Sequence, residues 1–422
     1  MLIRDPIHGD VDLSERETAV LDLPDMQRLR GVKQLGTAHL VYPGALHTRF
    51  DHSVGVCAVA HRIVGQLAAS GVAVPPALEE AIGVAALLHD VTHVPFGHTL
   101  EDERRLFARH DKGSRLAGLF AGRLGDALAR LDLRERVGGL LGLLPDEGAS
   151  ATPRWAREIV SGTIDADLLD YLRRDSFFSG LSHAYDDRIF RCFAVHDDRL
   201  AIRLAKHGMD RPDARSEIVG VLRLRYFLTE RVYYHHTKVV AGAMISKAVE
   251  IALDHGELHE DDLLRLDDWT LLERLTRGND ASASLARRTL GRDLLKRGYV
   301  VSGRSVPLAL RRAWVARYHV SREGRAAAER QLAATLGLPF EDVVLYCPAL
   351  TAMKEAAVAV ETSRGIEHLN DPGGAAFAEI SALQDRYAEL WRFYVFVPAQ
   401  AAGRAAEAAR EMFGVRCEHQ SR

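Results

Sequence analysis

AALLHDVTHVPFGH, residues Ala85 to His98, is the stretch whose reading decides the fold. Apolar residues run into an adjacent His89-Asp90 pair, His93 stands one helical turn later, and His98 follows the break at Pro95. A helix brings i and i+4 side chains to one face, so the spacing predicts His89 and His93 looking into one pocket. Pro95 has no N–H and its ring clashes with the preceding turn, which predicts the helix end and swings His98 towards the same space. Ala-Ala-Leu-Leu before the pair predicts a buried helix, and a buried His beside an Asp needs hydrogen-bond partners or a metal. Alone the pair is a weak signal, because a core histidine bonded to a backbone carbonyl is the commoner arrangement.

The remainder of the chain strengthens it. With 422 residues, 47% hydrophobic and 27% charged, the composition is that of a globular protein with ample material for a large core. The formal charge of −3 supplies no global basic field, so nucleic-acid and membrane binding are not expected. Cys57, Cys192, Cys347 and Cys417 are scattered without C-x-x-C spacing, which fits reduced thiols better than a disulfide framework or zinc knuckle. The N-terminus lacks a signal-peptide pattern, and no apolar run approaches the ~18 residues of a membrane span. The expectation is a soluble cytoplasmic protein.

Upstream, Met1 to Asp12 reads as a short strand or hairpin arm and Glu17 to Gly31 as a helix. In PGALHTRFDHS, Pro43 to Ser53, a loop ending at Thr48 runs into a helix that places Arg49 and His52 near each other. His52 is a second source of a metal ligand, and Arg49 a fixed cation for an anionic substrate. Leu100 to Leu119 reads as a helix or two carrying His110 and Asp111, and 137–153 as a Gly-rich loop. From Ile164 to Asp175, Asp167, Tyr171 and Asp175 form one helical stripe, with Leu168, Leu169 and Leu172 largely on the other side. Val221 to Met244 reads as one long helix with Arg225, Thr229 and Tyr233 along a face. Spacing alone leaves open whether that face is an ordinary amphipathic surface or the wall of a phosphate pocket.

The order His52, His89-Asp90, Asp167 resembles the HD-domain metal-dependent phosphohydrolases. DPIHG (Asp5 to Gly9), QRLRGVKQLG (Gln27 to Gly36), PGALHTRFDHS, LLHDVTHVPFGH and DADLLDYLRRDS (Asp165 to Ser176) together look like the deoxynucleoside triphosphate triphosphohydrolase branch. The resemblance covers roughly residues 1 to 245 and rests on several multi-residue blocks in the same order. It implies a mainly α fold with an HD-domain helical core, and hydrolysis of deoxynucleoside triphosphates to deoxynucleoside and triphosphate. It implies that His52, His89, Asp90 and Asp167 hold one divalent metal ion per chain; mixed N and O ligands suit Fe, Mn, Co or Zn better than Mg alone. His93, His98, His110 and Asp111 would be catalytic, with His98 the acid at the leaving oxygen. Gln34, Leu35, Tyr171, Asp175 and Tyr233 would hold the sugar, while Arg49 and Arg225 would contact phosphate.

Two departures stand out. The residue after the last metal ligand is Leu168, where much of the family has a phosphate-binding Lys or Arg. The chain also begins only a few residues before DPIHG, so part of the family's activator pocket is expected to be missing; Asp22 and Arg30 match guanine-recognising activator positions, or form a helix salt bridge. The resemblance implies a nucleotide substrate, a nucleotide activator and a homo-oligomer, dimer or tetramer. An alternative is a phosphohydrolase of nucleoside monophosphates or other phosphate esters, and another is a non-catalytic nucleotide sensor.

The organisation expected is an HD phosphohydrolase domain over 1–250, a helical extension over 251–335 and a small α+β region over 336–422. Strands are expected at Val343 to Tyr346, Ala357 to Val360 and Phe393 to Val397, with helices at Ala327 to Leu338 and Ala401 to Met412.

Overall fold

The computed structural model describes residues 1–109, 114–144, 152–350, 352–374 and 376–419. His110 and Asp111 lie outside the described residues. The fold is mainly α with small sheets. Its central helices each start on a recognisable signal. Thr48 and Asp51 form a capping box at the head of Arg49–Ala69, the Asp51 carboxylate accepting the Thr48 N–H at 2.8 Å. Pro76 occupies the first turn of Pro76–Leu88, where a missing N–H costs nothing. Asp165 caps Ala166–Phe178 by accepting the Leu168 N–H at 2.8 Å.

Arg49–Ala69 packs against Pro76–Leu88 on one side and Ala166–Phe178 on the other. Val56, Val59, Ile63, Ile82, Leu87, Leu169 and Leu172 are all buried between them. Each such side chain contributes about 1.5–3 kcal/mol relative to exposure, so the three-helix contact is the rigid base of the site. The hairpin Leu2–Asp5/Gly9–Asp12 closes one flank, with Asp5 paired to Gly9.

Three helical readings are corrected. Residues 17–31 are split by Pro24 into Glu15–Leu21, Pro24–Arg28 and a tight turn Leu29–Gly31. The long helix read over Val221 to Met244 is two, Pro212–Leu228 and His236–Asp254, joined by the wide turn Thr229–Tyr233. The helix before the His-Asp pair ends at Leu88, so His89 and His93 do not share a continuous helical face; turns bring them together instead.

Towards the C-terminus, Arg392–Val397 lies between Lys296–Ser302 and Val344–Tyr346, antiparallel to both. The helices Arg322–Leu336 and Ala402–Phe413 cover this sheet, and Trp314, Tyr318, Phe393 and Phe413 fill the space beneath. The segment after Tyr346 then returns to the first core. Ala359–Thr362 adds in parallel to Arg199–Arg203, which pairs with Phe193–His196, and Met353, Ala356, Ile380 and Tyr387 are buried in the main helical cluster. No helix among the described residues is long and apolar enough to cross a membrane. All four cysteines are free.

Candidate metal centre

His52 and His89 aim their Nε2 atoms at the Asp167 carboxylate from two different helix ends. His52 Nε2 lies 2.9 Å and His89 Nε2 3.8 Å from Asp167 Oδ1. The three could hold one ion between them, their ligand atoms all lying within 4.8 Å of one another. Asp90 stands at the rim, 3.5 Å from His89 Nε2 through one oxygen and 3.7 Å from His52 Nε2 through the other. Its second oxygen also accepts from Arg49 Nη1. Burial would raise the Asp90 carboxyl, but His89, His93 and Arg49 hold it well below the usual carboxylate range.

Each imidazole is fixed from behind. His89 Nδ1 meets the Ala86 carbonyl at 2.7 Å, and His52 Nδ1 meets Asp170 Oδ2 at 2.7 Å. Both contacts turn the other ring nitrogen inward, the arrangement by which an outer partner sets a ligand's tautomer. Asp170 is itself fully buried and accepts from Arg174 Nε at 2.8 Å and contacts His8 Nε2 at 2.6 Å. Arg174 Nη1 continues to Asp5 Oδ2 at 2.8 Å, and Asp5 Oδ1 accepts the Ile7 and His8 N–H groups. Gly55 is required here by close approach. A Cβ would fall 2.0 Å from Asp170 Oδ1 and 2.2 Å from Arg174 Nη2.

Beyond Asp90 the chain turns sharply through Pro95-Phe96-Gly97. Phe96 takes φ 59° and Gly97 φ 51°, and the Phe96 N–H donates to Asp268 Oδ1 at 2.7 Å. A Cβ on Gly97 would meet Arg49 Nη2 at 2.7 Å, so the turn both needs a positive φ and lies against the arginine. It brings His98 over His93, ring centroids 4.9 Å apart and nearly perpendicular. His93 is buried, 3.3 Å from Asp90 Oδ1, while the His98 side chain is 46% exposed and 3.3 Å from Asp102 Oδ2. Of this pair, His98 is the one open to a ligand from solvent.

Two family models match the chain, that of the HD domain over residues 49–175 and that of an HD-associated region over 214–422. The chain carries an HD domain followed by an HD-associated region. An uncharacterized protein of Methanocaldococcus jannaschii is 33% identical over 307 residues, 71% of this chain and 60% of the relative. The deoxynucleoside triphosphate triphosphohydrolase SAMHD1 of Homo sapiens is 30% identical over 295 residues, 61% of this chain and 45% of that protein. The chain thus spans under two thirds of the length of both. A phosphohydrolase from Bacteroides thetaiotaomicron shares the fold, with a TM-score of 0.71 and 23% identity over 94% of this chain and 99% of the other.

The HD domain's donor set fits a divalent metal. His89 Nε2 is buried with no hydrogen-bond partner and His52 Nε2 has only Asp167 Oδ1, at 2.9 Å, an arrangement that a cation between the two nitrogens and the carboxylate would satisfy. Burial alone would lower the His52 imidazolium, but Asp167 and Asp170 overcome it and raise it to about 10. A site that holds a proton this tightly is one that favours positive charge at its centre.

Around the HD domain's ligands the other candidate residues divide. Asp175 meets His47 Nε2 at 2.8 Å and accepts the Tyr233 hydroxyl at 2.7 Å. Tyr171 accepts from Arg225 Nη1, and Arg225 Nη2 lies 3.0 Å from Glu355 Oε1. Gln34 Oε1 is buried without a partner and Leu35 is buried in the core. Leu168 turns away from the site and is only 4% exposed in the main core. Arg30 hydrogen-bonds Gln27 and lies 3.5 Å over the Phe50 ring; neither contact is with Asp22.

Sequence reading missed Asp170, Arg174, His8, His47 and Glu355. Asp5 and His8 lie in the quoted DPIHG block, and Asp170 and Arg174 in DADLLDYLRRDS, so a signal existed. Glu355 had none, being isolated and far along the chain.

Proposed function

We propose that this HD-domain phosphohydrolase hydrolyses deoxynucleoside triphosphates to deoxynucleoside and triphosphate, as a soluble cytoplasmic homo-oligomer, dimer or tetramer, open to nucleotide activation. The observation that carries the reading is the convergence of two imidazole nitrogens on Asp167, with the exposed His98 and a fixed Arg49 beside them.

His52, His89, Asp90 and Asp167 would hold one divalent ion. When bound, that ion supplies Lewis acidity and lowers the pKa of a coordinated water. The chain's own groups do the rest. Arg49, locked to Asp90, offers a fixed positive charge to the phosphoryl group undergoing attack. His98, near Asp102, is placed to give a proton to the leaving 5′ oxygen. Tyr233, His47 and Asp175 form a hydrogen-bonded wall suited to a sugar hydroxyl, and Tyr171 narrows the space where a ribose 2′-hydroxyl would lie.

The alternative, hydrolysis of nucleoside monophosphates or other phosphate esters, is favoured by one observation, that Leu168 offers no cation. A non-catalytic sensor has no use for an exposed histidine beside a metal cradle. Metal content with product analysis over deoxynucleotides and ribonucleotides tests the reading. About one equivalent of metal and release of intact triphosphate from dNTPs are expected, with turnover falling roughly 10²–10⁴-fold in His98→Ala at unchanged metal content. Orthophosphate as the sole product, or two metals per chain, refutes it.

A further inference from the structure

Arg225 projects from Pro212–Leu228 towards the same wall as Tyr171, which stands one helical turn beyond Asp167. Cβ atoms so spaced are roughly 5–6 Å apart, and Asp167 is near enough to act on the Arg225 guanidinium electrostatically. It arrives there already engaged. Glu355 Oε1 lies 3.0 Å from Arg225 Nη2, with the glutamate side chain 14% exposed. Arg225 Nε and Glu355 Oε2 are both buried without hydrogen-bond partners, so each member of the pair keeps one unused polar atom.

The glutamate is anchored. It sits in the tight turn Lys354–Ala357, with Met353 and Ala356 buried in the main core on either side. Immediately after it, Ala359–Thr362 is hydrogen-bonded in parallel to Arg199–Arg203. The backbone of the turn is thus fixed, and the carboxylate it carries is held at Arg225 by the ion pair between them. Arg49, the cation on the metal side of the pocket, is likewise tied to Asp90, and Leu168 contributes none. Added phosphates therefore meet an arginine whose charge is already matched by a carboxylate.

We propose that Glu355 is a specificity-determining residue that masks Arg225 and sets how many phosphates the pocket tolerates, disfavouring polyphosphate chains relative to a single phosphoryl group. The inference rests on the reading of the site as a nucleotide phosphohydrolase, and between its two substrate classes it favours nucleoside monophosphates or other phosphate esters over triphosphates. A carboxylate at hydrogen-bond distance competes for the charge-assisted bond an arginine would give a terminal phosphate and adds repulsion of its own.

The test is calorimetric binding of inorganic tripolyphosphate and orthophosphate to the full chain, in wild type, Glu355→Gln and Glu355→Ala, with folding checked by thermal melting. Freeing one charge-assisted bond corresponds to roughly 10- to 150-fold. Tripolyphosphate binding is expected to tighten at least tenfold in both variants, orthophosphate by under threefold, and Glu355→Gln/Arg225→Gln is expected to lose the gain. Unchanged or weaker tripolyphosphate binding in a folded variant would show that Glu355 orients Arg225 for phosphate, and overturns the proposal. So would a gain that survives loss of Arg225. Should tripolyphosphate binding tighten while no protein hydrolyses any nucleotide, the mask stands and the phosphohydrolase reading fails.

Discussion

Two buried charged clusters sit in this molecule and obey opposite rules. In the metal cradle, His52 and His89 turn their inward nitrogens on a single carboxylate, Asp167. At the base of the HD-associated region, Arg104 gives Nε to Glu250 at 2.7 Å and both Nη atoms to Glu329 at 2.8 and 3.0 Å. Arg325 Nη2 adds a 3.0 Å bond to Glu250, and Lys247 Nζ lies 3.3 Å from Glu329 while donating to the Phe340 and Val343 carbonyls. Glu329 also accepts the Leu345 N–H at 2.9 Å. This second cluster joins the segment after His98 to helices His236–Asp254 and Arg322–Leu336. Charge out of water is tolerated there because the ions pair with one another, Arg325 Nε alone excepted among those named, whereas the cradle's ligand atoms converge where a cation would fit. Convergence of ligand atoms on one point, rather than charge itself, separates the candidate site from the structural cluster.

The largest expected effect lies in the cradle. His89→Ala should abolish bound metal by elemental analysis and reduce phosphohydrolysis to background, with the urea midpoint nearly unchanged. A large loss of stability with metal retained would erase the contrast between the clusters. In the ionic cluster the outcome reverses. Glu329→Ala leaves Arg104 and Lys247 buried and uncompensated and should cost ~3–5 kcal/mol in urea unfolding, while metal content per folded molecule stays at wild type.

The same cluster predicts a pH dependence. Burial opposes ionisation of Glu329, but Arg104 and Lys247 overcome it and hold the carboxyl at about 2, against 4.5 ordinarily. Between those values the unfolded chain binds more protons, so this stabilisation is full above pH 4.5 and is lost as pH falls towards 2. It amounts to about 3 kcal/mol, and urea melts of Glu329→Gln across that range should show a shallower acid limb. A limb as steep as wild type would assign the acid sensitivity elsewhere.

On the metal itself Asp170→Asn should give the smallest effect, because it touches the cradle only from behind and Arg174 keeps Asp5 as a partner. Weakening the hold on His52 Nδ1 should lower metal affinity about 10- to 100-fold without removing the site. Competition with a metal chelator measures it; wild-type affinity would mean that His52 is oriented by packing alone.

Much of the site was legible because its parts are short-range. PGALHTRFDHS carries its own capping box, and DADLLDYLRRDS sorts its acidic stripe from its leucines by helical period, as the burial of Leu168, Leu169 and Leu172 shows. The breaks were harder. Pro24 could be read as a helix stop, but nothing local marks the wide turn at Thr229–Tyr233, and the helix end at Leu88 is set by the chain beyond it.

What the sequence determined by itself is therefore the residue types, the periodicity and the order of the His, His-Asp and Asp blocks. Those depend on neighbours within a turn or two, where backbone geometry is fixed by chemistry close at hand. Only the tertiary structure decided which groups face one another. The His8–Asp170–His52 chain, the Asp268 hold on Phe96 and the Glu355 mask on Arg225 all join residues more than 100 positions apart. Such pairings follow from how helices stack and where a returning strand inserts, and no local pattern in a single chain encodes them.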